Sequence, residues 1–151
     1  MTKRIPEDMH SITPHIVCKD AVGAIAFYQK AFGARDVQVL KAPNGMLIHG
    51  MIRIGDSALM LMEENPEYGA QSPAMLNGSP VTLHLYVEDC DAAFERAIQA
   101  GATSVMPPGD MFWGDRYGVL KDPYGHSWSL AHHQKDMTPE EMQEAAAKAC
   151  A

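Results

Sequence analysis

Cysteine is scarce in this chain, and its pattern is wrong for a framework. Cys18, Cys90 and Cys150 are odd in number and far apart, and none belongs to a CxxC pair. That argues against a disulfide scaffold and a cysteine zinc site, and it makes a reducing cytoplasm the expected compartment. Basic charge is also in short supply. Twelve Lys and Arg stand against 19 Asp and Glu, for a formal net charge of −7. A nucleic-acid partner would require a basic face, so none is expected. Apolar runs are short, and none approaches the ~20 residues that span a bilayer. The start, Met1 to Asp8, has two basic residues with no apolar core behind them. No membrane association and no signal peptide are expected. No glycine-rich phosphate loop of the Walker or dinucleotide type is present, and no Ser-His-Asp arrangement emerges from the residue order.

What the chain does contain is a repeat. His15-Ile-Val-Cys-Lys-Asp20 and His84-Leu-Tyr-Val-Glu-Asp89 align at a spacing of 69 residues. Each block leads into a helical stretch that ends on Gly-Ala, at Gly33-Ala34 and Gly101-Ala102. A period of this length is one supersecondary module used twice.

The local patterns give each module the same order. Ile12–Cys18 is β-branched and reads as a strand, with Pro14 near its start. Asp20 caps a helix over Ala21–Phe32, and Gly33 ends it. Strands follow at Arg35–Lys41, Leu47–Ile54 and Ala58–Met62, with turns at Pro43-Asn44-Gly45 and Gly55-Asp56. The second module repeats this. It has a strand at Val81–Val87 and a helix from Ala92 to Gln99 capped by Asp89 or Asp91. A short strand, Thr103–Met106, precedes a loop at Pro107–Asp110, and strands Asp115–Leu120 and Ser127–His132 follow. Thr138-Pro139-Glu140-Glu141 opens a C-terminal helix with a capping box. The expected organisation is a flexible leader over 1–10, a first βαβββ module over 11–62 and a linker over 63–80. A second βαβββ module over 81–135 and a helical tail over 136–151 complete it. The fold class is α+β. One short helix cannot cover both faces of a four-stranded sheet, so the helices lie outside and the mixed sheets line a cleft.

The repeat, the Phe27-Tyr28…Phe32-Gly33 helix ending, Tyr86-Val87-Glu88-Asp89 and Asp122-Pro123-Tyr124-Gly125-His126 resemble the vicinal oxygen chelate superfamily. That group includes glyoxalase I, bleomycin-resistance proteins and extradiol dioxygenases. Trp113-Gly114-Asp115-Arg116, Gly125-His126-Ser127-Trp128 and the Thr138-Pro139-Glu140-Glu141 tail are similar to its PhnB-like branch. The resemblance covers about residues 11–142 and specifies fold more than chemistry.

The resemblance implies four inward metal ligands, which align with Thr13, Met60, Thr82 and Ser129. None is a good ligand for a divalent ion, and Met60 is a soft thioether that would suit only Cu(I). No cofactor is therefore expected, and the reading is a protein that binds a small organic molecule in the cleft. The competing reading is a lyase or dioxygenase-like enzyme with a divalent metal at a displaced site. It would use His15, His84 and Glu63, although strand parity turns Glu63 away from Met60. Without a metal, His15 and His84 are polar groups of the groove. Trp113 and Arg116 are further candidate ligand contacts; Arg116 either clamps an anion, pairs with Asp115 or Asp122, or stacks on Trp113. Eleven methionines are present, with Met46, Met51, Met60 and Met62 close together. They read as core filler, or more sharply as an adaptable pocket. A homodimer is expected, because so small a domain gains buried surface by pairing.

Overall fold

The structure, a computed structural model, describes residues 2–151. The chain divides into one compact unit ending at Gly78 and a second beginning at Ser79. Each has the α+β order predicted from the repeat.

In the first unit, β1 (His15–Cys18) leads to α1 (Ala21–Phe32), followed by β2 (Arg35–Lys41), β3 (Leu47–Ile54) and β4 (Ser57–Glu63). The sheet order is β1-β4-β3-β2. β1 runs parallel to β4 and the other neighbours are antiparallel, so the sheet is mixed. Asp20 caps α1 from a left-handed conformation, and its side chain accepts from the Gly23 N–H. Gly33, at φ 70°, closes the helix with bonds to the Tyr28 and Gln29 carbonyls, a turn that favours glycine. Ala21, Ala24, Ile25, Phe27, Tyr28 and Ala31 are buried on α1. The buried partners on the sheet include Ile16, Cys18, Leu47, Ile52, Ile54, Leu59 and Leu61.

Before the second unit, 63–80 contains a single 3-10 turn (Pro66–Tyr68) and a one-turn helix, α2 (Pro73–Leu76). Ser72 caps α2, and its hydroxyl donates to the Glu64 carboxylate.

The second unit runs β5 (Thr82–Tyr86), α3 (Cys90–Ala100), β6 (Thr103–Asp110), β7 (Asp115–Lys121), β8 (Ser127–His133) and α4 (Pro139–Ala149). Its sheet order, β5-β8-β7-β6, copies that of the first. The register is copied too: His15 lies beside Met60 and His84 beside Ser129, each pair at the same offset. Among the described residues no helix is long and apolar enough to cross a membrane.

Three local expectations need correction. β1 begins at His15, so Thr13 precedes the strand. α3 begins at Cys90, with Asp89 accepting from the Ala92 N–H. β6 continues through Pro107, Pro108 and Gly109 to Asp110, where a loop is predicted. An edge strand tolerates proline because one of its sides needs no ladder donors. The pairing skips residues between Ser104 and Met106 and again between Met106 and Gly109.

The two sheets share a packing device. Gly50 on β3 lies under Ile25, and Gly118 on β7 lies under Phe94. Ile25 and Phe94 are repeat equivalents. A Cβ at Gly118 would sit 3.0 Å from the Phe94 ring and 3.1 Å from the Pro108 nitrogen. At Gly50 the nearest atom would be a Leu47 methyl at 3.3 Å. Gly118→Ala is therefore expected to destabilise by about 1–3 kcal/mol through overpacking. Gly50→Ala should cost clearly less, because flexible side-chain ends can yield. Urea denaturation of both variants checks the ranking; equal effects would contradict it.

Candidate functional site

Each sheet has one face under its helix and one turned away from it. Strand alternation assigns the residues. In the first sheet Ile16, Cys18, Leu59, Leu61, Ile52 and Ile54 are buried on the α1 side. His15, Met60 and Met51 are cross-strand neighbours on the other side, where Met62, His49 and Arg53 also lie. The His15 and His49 rings meet edge to face, with centroids 5.7 Å apart. Partial burial, and then His49, hold His15 below the ordinary imidazole value, which favours its neutral form. Among the described residues no methionine is buried; Met51, Met60 and Met62 are half-buried on this free face. They are face residues, which corrects the core-filler expectation. Pro6 to Met9 line a hollow with Gln38, Met51 and Arg53, and the Arg53 guanidinium approaches Met9 Sδ at 3.8 Å.

On the free face of the second sheet, five rings touch in succession. Phe112 meets Trp113 with centroids 5.1 Å apart, and Trp113 meets Tyr117 at 5.1 Å. Tyr117 stacks on His84 at 5.9 Å, and His84 meets Tyr86 at 4.7 Å. His84 Nδ1 and Ser129 Oγ share a hydrogen bond of 2.6 Å. The Thr82 hydroxyl donates to Ser127 at 3.3 Å. Beyond Tyr86, its phenol donates to the buried Asp115 at 3.3 Å. Loss of solvation, then the Asp115 charge, raises the Tyr86 pKa and keeps the phenol a donor. The second Asp115 oxygen is 2.8 Å from His133 Nδ1, whose Nε2 is 2.7 Å from Asp136.

The other sequence candidates lie elsewhere. Arg116 is beside His132 on the α3 side of its sheet. It donates from Nε and Nη2 to both Asp91 oxygens, at 3.0 and 2.8 Å, and from Nη1 to Asp110 at 3.2 Å. Its partners are thus neither Asp115 nor Asp122, and its guanidinium fork is engaged within the fold. Trp128 is buried and donates to Asp122 at 2.9 Å.

Glu63 accepts from the Asp20 and Ala21 N–H groups at 2.9 and 2.8 Å. Its repeat equivalent, His132, accepts at Nδ1 from the Cys90 N–H at 2.8 Å. The last strand of each module thus ties down the N-terminus of that module's helix, where free backbone donors favour an acceptor.

These contacts decide the fit of the four-ligand divalent site that the resemblance implies. Met60 offers a thioether, Thr82 a neutral hydroxyl bonded to Ser127, and Ser129 a 2%-exposed hydroxyl bonded to His84. That donor set does not fit Zn²⁺, Ni²⁺ or Fe²⁺. Nor is Glu63 a free third ligand for His15 and His84. Among the described residues no group of three or more His, Cys, Asp or Glu is placed to hold a metal ion.

Two outcomes follow. Glu63→Ala removes both acceptors from the start of α1 and should lower stability by about 1–2 kcal/mol in thermal denaturation. No change would mean the cap carries no energy. His133 is held above the ordinary imidazole value by its bonds to Asp115 and then Asp136. A raised folded-state pKa contributes stability that is complete below the unfolded value of about 6.5 and is lost as pH rises through the folded value. The stability gap between the native chain and His133→Gln should therefore be widest in acid and close with rising pH. A gap that widens with pH would reverse the assignment.

Comparison with known proteins places this geometry. An uncharacterized protein of Mycobacterium bovis is 46% identical over 138 residues, covering 89% of this chain and 91% of the relative. A solved Arabidopsis thaliana gene product is 25% identical, with TM-score 0.64, covering 82% of this chain and 98% of that one. The fold is also shared with a Bacillus cereus structure described as a putative 3-demethylubiquinone-9 3-methyltransferase, PhnB protein. It has 18% identity and TM-score 0.59, over 82% of this chain and 99% of that one. A family model matches residues 9–130, and the chain belongs to the Glyoxalase/Bleomycin resistance protein/Dioxygenase superfamily.

Proposed function

We propose that the protein binds a small, planar organic molecule on the free face of its second sheet, as a member of the PhnB-like branch that its Trp113-Gly114-Asp115-Arg116 segment resembles. The observation that carries this reading is the run of touching rings from Phe112 through Trp113, Tyr117 and His84 to Tyr86. Tyr86 is 63% exposed in spite of its size. Aromatic surface left accessible in a row offers stacking area, and each stacked pair contributes about 0.5–1.5 kcal/mol beyond its burial. The hydroxyls of Thr82 and Ser127, with the His84 imidazole, supply a polar margin that can orient a ligand. The reading asks nothing of a metal, which agrees with the poor donor set at Met60, Thr82 and Ser129.

Fluorescence separates this reading from its failure. The chain has two tryptophans. Trp128 is buried against Asp122, so Trp113 is the one that reports on the free face. Titration with a panel of planar aromatic compounds, bleomycin included, should find quenching by at least one member. Tyr117→Ala should weaken that binding about tenfold or more, as loss of a central stacking partner costs about 1.4 kcal/mol or above. A panel without a binder, or binding indifferent to Tyr117→Ala, would sink the reading.

A further inference from the structure

The free face of the first sheet carries a different chemistry. It is rich in sulfur and imidazole and poor in aromatic carbon. His15 on β1, Met60 on β4 and Met51 on β3 form one cross-strand row. Met62 and His49 face the same way, two residues along from Met60 and Met51. β4 lies between β1 and β3 in the sheet. The His15 and His49 rings, one from each flanking strand, can therefore meet only above β4. The β4 side chains on that face, beneath the meeting point, are Met60 and Met62.

The ring separation, rather than the present edge-to-face orientation, matches a shared ion; one imidazole would turn so that a nitrogen of each ring faces it. With a metal–nitrogen bond of about 2 Å, two imidazoles on one ion hold their centroids roughly 5–6 Å apart. The observed separation is 5.7 Å. Neither Glu63 nor Cys18 faces this group: Glu63 points to the α1 N-terminus, and Cys18 is buried on the α1 side. The carboxylates of Glu7, Asp8 and Asp36 line a hollow with Met51 and Arg53. Two imidazoles and a thioether form a poor set for zinc. Thioethers select Cu(I), and imidazole also accepts it.

We propose that this face binds one soft monovalent d¹⁰ cation, Cu(I), through His15, His49 and the Met60 thioether, with Met51 and Met62 shielding the ion. The inference concerns the first module alone and does not depend on an organic ligand at the second.

The test uses the full chain carrying Cys150→Ser, since Cys150 is the exposed thiol and would bind copper by itself. Cu(I) is titrated without oxygen against a coloured Cu(I) chelator, and Zn²⁺ is titrated separately. One equivalent of Cu(I) should be held, with affinity falling tenfold or more in Met60→Leu, in His15→Gln and in His49→Gln. Circular dichroism without metal confirms that each variant is folded. His15 is solvent-exposed, so its replacement keeps the test valid even if Met60→Leu perturbs packing. Absence of a stoichiometric site overturns the proposal. So does Cu(I) affinity unchanged in His15→Gln, or Zn²⁺ held as tightly as Cu(I).

Discussion

Each sheet has four strands and one helix to cover it, and the rest of the structure follows from that shortage. A helix about 10 Å wide can bury one face of such a sheet at most. The buried face then has to be made as tight as possible. That explains the glycines beneath Ile25 and Phe94, which let helix and sheet approach closely. It also explains why the last strand of each module tethers the start of its helix, through Glu63 in one case and His132 in the other. The face that the helix leaves uncovered is where the two modules differ. One carries methionine and histidine, the other touching aromatic rings and hydroxyls.

Much of this was legible in the residues. The 69-residue spacing carries the module, the strand register and the equivalence of His15 with His84, because a duplicated unit keeps its pairing. Asp20, Gly33 and the Thr138 capping box mark helix ends through local chemistry, and the structure places those ends where the local rules do. Alternation alone turned Glu63 away from Met60.

Other features depend on partners that sequence order does not bring together. Arg116 finds Asp91, which is 25 positions away on α3. A charge in a strand says nothing about which helix will cover it. Glu63 reads as a possible third ligand beside His15 and His84, but its acceptor role at the start of α1, matched by His132 at α3, depends on contacts that sequence order does not show. His49 carries no repeat signal, since the residue 69 positions on is Gly118, and only the sheet order brings it to His15. The full length of β6 is not legible in the sequence, because Pro107 and Pro108 argue against a strand unless its edge position is known.

That edge position has a consequence for the chain in company. β2 and β6 occupy the same edge of their respective sheets. Both are irregular: β2 breaks register between Arg35 and Gln38, with Asp36 at positive φ, and again between Leu40 and Lys41, while β6 also does so twice and carries two prolines. An unpaired strand is a template for another chain to join and for aggregates to grow. Bulges and missing N–H donors spoil the template. Both copies of the module thus carry, on the same side and by different residues, the features that oppose strand addition.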